Sequence, residues 1–545
     1  MVTGTTGSAT GAPCFVGVDV GTGSARAGIF DTAGVLLGTA KHDIPLYREG
    51  SHIVEQSSAK IWHAVCRSVQ GALQAAGLSA DHIGGIGFDA TCSLVVLDQT
   101  GNPLPVGPSE DPDRDVIVWM DHRAIPQAAH INSLKHPVLD YVGGHISPEM
   151  QTPKLLWLKE NRPEIFKGAG AFFDLTDFLT WRATGNDARS VCTVTCKWTY
   201  LAHEKRWDAS YFRAIGLGEL ADEDFSRIGT TILDAGAPVG DGLSEKAAAE
   251  LGLRAGIPVG AGLIDAHAGG IGTVGAEAEG EGPAQRMAYV FGTSACTLSS
   301  SVEPSFVPGV WGPYASAMVP GLWLNEGGQS AAGAAIAHLL KMHPMSAEAN
   351  AEARTAGKSL PAWLIDRILE RVNNLSEAPL LAGEIMVVPE FLGNRAPHAD
   401  PDARAIIAGL DLNDGLESLI GLYVAGLCGL GYGLRQILRA QAEAGLTVDT
   451  IVISGGAGES DLVRQVLADS CGLRIRAAGT AEPVLLGSAI LAAVASGHQP
   501  DLVTAMRRMS VLGNAYNPSA PSAAWHDRRF AMFEGFQNLY RSSVP

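Results

Sequence analysis

The first patterned stretch of the chain is an apolar run at residues 15–20, a polar glycine-rich turn at 21–24 and a second apolar run at 25–30, which predicts a β-hairpin. A turn at 31–34 and an apolar run at 35–37 extend it to a three-strand meander, and residues 57–76 then carry helical periodicity. This is an antiparallel start to an α/β layer. Residues 83–88 follow as a buried-type strand ending on the polar cluster Asp89, Thr91, Cys92 and Ser93, the kind of strand end at which α/β folds expose functional groups. The plan recurs near the middle of the chain, with a strand at 286–291, a small-residue turn Gly292-Thr293-Ser294 and a returning strand at 295–299. A repeated supersecondary plan predicts an internal duplication. The Gly, Ala and Glu-rich stretch at 275–282 reads as the linker. The expected organisation is a lead-in at 1–13, an α/β domain at 14–275, a second at 276–510 and an extension at 511–545, with peripheral helix beyond Asn517. A cleft between the two domains is the natural ligand site. Within the second domain, helical patterns at 416–444 and 459–471 bracket a strand at 450–454 that ends in Gly455-Gly456-Ala457-Gly458.

Charge narrows the partners. The 545 residues carry 39 Lys plus Arg against 57 Asp plus Glu, a formal charge of −18, which repels phosphate backbones and anionic lipid. Neither nucleic acid nor a membrane surface is expected as a partner, although a local basic patch could hold a small anion such as a nucleotide. With 46% hydrophobic and 18% charged residues, disorder is excluded for most of the chain. The longest uncharged stretch, 418–434, lies between Glu417 and Arg435 and contains five glycines, so a buried core helix is expected there and not a membrane span. Residues 1–13 show no basic segment followed by an apolar core, and a cytoplasmic protein is expected. Of the eight cysteines only Cys192 and Cys196 come close; the spacing could serve a metal, but no second pair completes a site, and free thiols fit better.

The first turn, Asp19-Val20-Gly21-Thr22-Gly23-Ser24, has glycines that can adopt positive φ and bring backbone N–H groups against phosphate oxygens. A second turn at Gly292-Thr293-Ser294 and the strand-to-helix turn at 454–460 complete a series of three, far rarer than one such turn. Two familiar nucleotide motifs fail. Gly357-Lys358-Ser359 resembles the end of a P-loop, but the glycine required five residues before Gly357 is Glu352. Gly21 and Gly23 fail as a dinucleotide fingerprint because position 26 is Arg and a strand, not a helix, follows.

On these three turns, in this order and at these separations, the chain resembles the FGGY family of carbohydrate kinases over roughly residues 14–510. The resemblance implies two duplicated ribonuclease-H-like domains of the actin, Hsp70 and hexokinase type. It further implies ATP and Mg²⁺ as cofactors, with ATP contacts at Gly21, Thr22, Gly23, Ser24, Arg26, Gly292, Thr293, Ser294, Asn394, Gly455, Gly456 and Ala457, and Asp19 holding the metal. Gln465, Ala468 and Asp469 follow the last turn at family-like spacing. The family's catalytic base is matched by Asp265, in Gly262-Leu263-Ile264-Asp265-Ala266-His267; a carboxylate there takes the hydroxyl proton as oxygen attacks the γ-phosphoryl group. A helix N-cap is the structural alternative for Asp265.

The stretches 88–93 and 119–124 look like those of the pentulose kinases, most of all the D-ribulokinase and L-ribulokinase branch. They nominate Asp89, Ala90, Thr91, Cys92, Asp121, His122 and Arg123 as sugar contacts beside Asp265. Asp121 and Arg123 could instead be a local ion pair. Lys197 and Glu326 sit in ribulokinase-like stretches and join the sugar set, or are solvated surface charges. The implied activity is ATP-dependent phosphorylation of the terminal 5-hydroxyl of a ketopentose, D-ribulose first, with L-ribulose, ribitol, xylulose or another polyol as alternatives. A non-catalytic actin-like ATPase or a sugar sensor is the rival from another class. The expected partner is a small-molecule sugar, and a homodimer is the default for an enzyme of this size.

Overall fold

The computed structural model describes residues 11–277 and 282–543. Residues 1–10 of the expected lead-in, 278–281 of the expected linker and the side chain of Ala457 lie outside the described residues. The chain divides into two compact units. One comprises Met1–Glu279, Pro313–Leu324 and Thr480–Val511, the other Gly280–Gly312, Asn325–Gly479 and Leu512–Pro545.

In the first unit, β1 (Cys14–Val20), β2 (Ser24–Phe30), β3 (Leu36–Asp43), β4 (Ile83–Ala90) and β5 (Val259–Ile264) form one sheet in the order β5-β4-β1-β2-β3. The expected meander is its antiparallel side, β1 against β2 and β2 against β3. β1 pairs with β4 and β4 with β5 in parallel. Helix α1 (Ser58–Ala76) connects the two sides; Ser57 caps it, and Ile61, Val65, Val69 and Ala72 bury one apolar stripe. Two further helices position chemistry: α2 (Val191–Trp198), and α3 (Asp265–Val274), which leaves the end of β5 directly.

The second unit repeats the plan with β6 (Arg286–Phe291), β7 (Ala295–Ser301), β8 (Trp323–Gln329), α4 (Leu416–Glu443), β9 (Thr450–Ser454), α5 (Asp461–Cys471) and β10 (Arg474–Ala478). Its seven-stranded sheet contains the run β10-β9-β6-β7-β8, with β6 antiparallel to β7 and parallel to β9, and β9 parallel to β10. Helix α4 contains the uncharged stretch. It is long and apolar enough to cross a membrane, yet 83% of its most apolar window is buried inside the protein, as a core helix requires.

One sequence expectation is corrected here. The second domain is not one block at 276–510, because helix α6 (Pro483–Ala495) belongs to the first unit. It lies on β1, β4 and α3, and glycines make the approach feasible. A Cβ on Gly17 would stand 2.0 Å from the Leu485 carbonyl oxygen, and one on Gly87 2.1 Å from that of Ser488. The expected helix beyond Asn517 is present in the C-terminal extension, preceded by an unexpected strand. Strand β11 (Leu512–Tyr516) pairs antiparallel with β10, and helix α7 (Ala520–Ser543) buries His526, Arg529, Phe530, Phe533 and Gln537 in the second unit. Gln465 and Asp469 anchor that tail: Gln465 donates to the Asn517 carbonyl at 2.9 Å, and Asp469 accepts from the Ser519 N–H at 2.7 Å.

Candidate active site

The turn between β1 and β2 closes with the Gly21 N–H donating to the Ser24 carbonyl at 3.0 Å. Neither Gly21 nor Gly23 has a positive φ, contrary to the expectation for this turn. What they supply is room: a Cβ on Gly23 would meet nothing within 4 Å. Thr22 is braced from two sides, its hydroxyl accepting from the Trp119 indole at 2.9 Å and its carbonyl from the Gln56 amide at 2.7 Å. Among the described residues the N–H groups of Thr22 and Gly23 have no protein acceptor, the condition for donating to an anion.

Three carboxylates gather beneath this turn. Asp19 ends β1 and Asp89 is its parallel partner on β4, so sheet register alone makes them neighbours. Asp265 begins α3 at the end of β5, and its Oδ1 accepts from the Ala266 N–H at 2.7 Å, a helix-start role that occupies one oxygen only. Among the described residues its Oδ2 has no hydrogen-bond donor. Burial pushes the Asp265 carboxyl up, the Asp19 charge adds to it, and the result is about 6. Asp89 is pushed well above the carboxylate range by burial first and then by Asp19, against the opposing hydrogen bond from the Ser488 hydroxyl at 2.6 Å.

Several nominated residues have other duties. Arg26, expected at the nucleotide, pairs with Asp19 and with Glu482, the latter at 2.8 Å. Asp89 has no exposed surface, and Ser488 holds it to α6, so it shapes the floor of the site and does not touch a sugar. Ala90 is equally buried. Asp121 is fully buried as well and accepts four hydrogen bonds: from the Val54 N–H at 2.7 Å, the Arg123 N–H at 2.9 Å, and the Arg123 guanidinium at 2.9 and 2.7 Å. Arg123 also donates to Glu55 at 2.7 Å and lies over the Trp157 ring. The ion-pair alternative is therefore what the structure shows for Asp121 and Arg123, because every favourable acceptor direction is already spent. His122 is exposed, facing Glu149 at 3.4 Å. Thr91 meets Ser93 at 3.2 Å, and the Cys92 carbonyl accepts from Gln151 at 3.0 Å.

Lys197 is no surface charge. It is buried at the end of α2, and its charge acts on both Asp265 and Cys92. Asp19, Asp89, Cys92, Lys197 and Asp265 thus share one electrostatic neighbourhood within the first unit. Sequence reasoning missed Gln151, Lys154 and Asp174, which line the same region. Gln151 donates to Asp174 at 3.0 Å, burial pushes Asp174 up to about 8, and the fully buried Lys154 donates to the Val118 carbonyl at 3.1 Å. Lys154 and Gln151 sit in the helix Gln151–Asn161, which has no distinct apolar face to mark that side as buried.

In the second unit, the Gly292 N–H donates to the Ser294 carbonyl at 2.9 Å. The Thr293 carbonyl accepts from Ala332 and Ala334 at the start of helix Gly333–Met342, at 2.9 and 3.1 Å. Gly455 has φ +94°, and a Cβ there would stand 2.5 Å from the Phe291 oxygen, so only glycine lets the two turns nest. Gly455 therefore lies against Phe291 at the end of β6, the strand that leads into Gly292-Thr293-Ser294. Asn394 is engaged elsewhere, since its side chain bonds Glu390 and accepts from the His398 N–H at 3.0 Å. Glu326, buried at 5% exposure, pairs with Arg395 at 2.7 Å in this unit and is no solvated surface charge.

The donor set fits a hard divalent cation. Burial first and the Asp19 charge second push Asp89 and Asp265 up, so the three carboxylates repel one another, and a divalent cation among them would relieve that repulsion. Carboxylate oxygens in that condition suit Mg²⁺.

A duplicated strand plan, two glycine turns and a raised carboxylate at the end of a parallel strand characterise the chain. The N-terminal domain of the FGGY family of carbohydrate kinases matches residues 14–272 and its C-terminal domain residues 287–496, and the chain belongs to that family. It is 44% identical to an FGGY carbohydrate kinase domain-containing protein of Homo sapiens, over 95% of both chains. It is 38% identical to a D-ribulokinase of Saccharomyces cerevisiae, over 88% of this chain and 72% of that one. A xylulose kinase structure from Brucella ovis superposes with TM-score 0.79 at 20% identity, over 97% of this chain and 100% of that one. A ligand-bound xylulose kinase from Lactobacillus acidophilus gives TM-score 0.79 at 19% identity, covering 97% and 99%.

Proposed function

We propose that the enzyme transfers the γ-phosphoryl group of ATP to the terminal 5-hydroxyl of D-ribulose, giving D-ribulose 5-phosphate and ADP. The observation that carries the reading is Asp265. Its Oδ2 is open, its Oδ1 is fixed by a backbone N–H, and its proton affinity is raised to about 6, close to neutral pH where a general base works best. D-Ribulose is favoured over other ketopentoses by the 38% identity to a protein named D-ribulokinase.

In this mechanism Asp265 accepts the hydroxyl proton as the O–P bond forms, and the bridging P–O bond to ADP breaks. Lys197 sets the charge beside the base. The N–H groups of Thr22 and Gly23 donate to phosphate oxygens, held by the Trp119 and Gln56 braces on Thr22. Asp19 would hold Mg²⁺, directly or through water. When bound, the ion neutralises charge developing on the phosphate oxygens. Tying the loop at 118–124 into the core, the Asp121–Arg123–Glu55 network positions Trp119 without touching substrate.

The test is ADP release by purified protein with Mg-ATP and a panel of D-ribulose, L-ribulose, D-xylulose, ribitol and glycerol, with the product's phosphate position read by NMR. The expected result is the highest kcat/KM for D-ribulose and phosphate on O5. A higher kcat/KM for another sugar overturns the substrate assignment. Absence of sugar-dependent ADP release overturns the mechanism.

A further inference from the structure

One cluster of chemically capable side chains plays no part in the reaction above. Helix α2 places Cys192 and Cys196 one turn apart on the same face, as i,i+4 spacing requires. Helix α3 brings His267, two residues beyond the base, onto that face. The two sulfurs and an imidazole nitrogen all lie within 4.8 Å of one another, with Cys196 Sγ and His267 Nε2 at 3.8 Å. All three residues have no exposed surface. Among the described residues no other group of three metal-ligating side chains gathers so closely.

We propose that Cys192, Cys196 and His267 form a Zn²⁺ site that ties the helix carrying Lys197 to the helix carrying Asp265. Three arguments support it. With Zn–S bonds of about 2.3 Å and Zn–N bonds of about 2.0–2.1 Å, tetrahedral ligands lie about 3.5–4 Å apart, so the cluster needs only small side-chain rotations to close on an ion. Two thiolates and a neutral imidazole around a divalent cation sum to zero charge, the arrangement a fully buried site tolerates. Thiolate and imidazole together select zinc over the hard cations that suit the carboxylates nearby. The environment already favours thiolate at Cys192. Burial works against it, but the Cys196 thiol and the His267 imidazole more than reverse that and hold the group below the usual thiol range. The sequence alone shows only half of this site, because the completing ligand is 71 residues away from Cys196.

The test uses the full-length protein, purified reduced and metal-free, and titrated with Co²⁺ as a spectroscopic stand-in. The proposal expects saturation at one ion per chain, an intense near-ultraviolet thiolate-to-cobalt band, and displacement of that band by one equivalent of Zn²⁺. The double variant Cys192→Ser/Cys196→Ser is expected to lose the band, while Cys66→Ser, at a cysteine outside the cluster, keeps it. His267→Gln supplies a milder probe should the double variant fail to fold, and is expected to weaken Zn²⁺ binding in competition with a chromophoric chelator. No band in the unaltered protein, a band that survives the double variant, or binding of Cu⁺ but not Zn²⁺ overturns the proposal. The readout requires neither sugar nor ATP, so its failure is distinct from failure of the kinase mechanism.

Discussion

β1-β2 and β6-β7 are antiparallel hairpins of one plan, but the first turns through residues 21–24 between its paired strands and the second through the shorter 292–294, and their charges differ. In the first, Asp19 faces Arg26 on β2 and Asp89 on β4. At the corresponding places of the second stand Val290, Cys296 and Ser454. Both hairpins close a turn by a glycine N–H donating to a serine carbonyl, at 3.0 and 2.9 Å. The helix after the outer parallel strand differs too. β5 runs straight into α3 with Asp265 as its first residue, whereas β10 is followed by a segment, 480–511, that packs into the first unit. The backbone that can receive phosphate is thus common property of the duplicated plan. Acid–base chemistry depends on side chains that only one copy acquired.

That comparison is broken most directly at the base. Asp265→Asn is expected to lower kcat by about 10³-fold, within the roughly 10²–10⁴-fold worth of a general base, with nucleotide affinity within about twofold by calorimetric titration. Near-normal turnover would remove Asp265 from its role. In the unaltered enzyme kcat/KM should climb with pH through about 6 and level off, since the base acts ionised. Stability runs the other way. The folded-state value exceeds the ordinary carboxylate value, so this group's contribution is full below about 4 and is lost as pH rises through about 6. Thermal melts at pH 7.5 should therefore place Asp265→Asn above the unaltered protein, with the gap closing toward pH 4.

Packing supplies the next test. Gly87→Ala drives a methyl into the Ser488 carbonyl at 2.1 Å and is expected to cost about 1–3 kcal/mol by denaturant unfolding. Ser488→Ala removes the hydrogen bond to the buried Asp89, an expected loss of about 1–2 kcal/mol by the same measurement. Gly23→Ala meets nothing within 4 Å and should leave the melting temperature unchanged while raising KM for ATP. An unchanged KM would show that this turn is not a phosphate surface.

Much of the fold was legible because its signals are local. Each predicted strand around the first two turns is a short apolar run bounded by glycine or polar residues, and the pattern is contiguous in sequence. Asp265 was legible only through the family resemblance, as the match to the family's catalytic base in Gly262-Leu263-Ile264-Asp265-Ala266-His267. Asp121 was misassigned because a carboxylate beside an arginine looks alike whether it faces a sugar or is sealed under Val54 and Glu55; only burial separates the two. Lys154 was missed for the converse reason, since a lysine in a helix is ordinarily solvated. The ownership of residues 480–511 was missed because Gly17 and Gly87, which admit α6, are recognisable as contact glycines only once the helix lies on them.

By itself the sequence determined the strand plan, its repetition and the three turns, all of which depend on neighbours within a few residues and on the periodicity of side chains along one element; Asp265 followed from the family those turns resemble. Tertiary structure alone decided which carboxylates remain available, which unit owns α6, and that His267 completes the pair Cys192 and Cys196. These outcomes follow from burial and from contacts between residues tens to hundreds of positions apart, and a polar group's chemistry is set by how many of its hydrogen-bonding directions those distant neighbours have already taken.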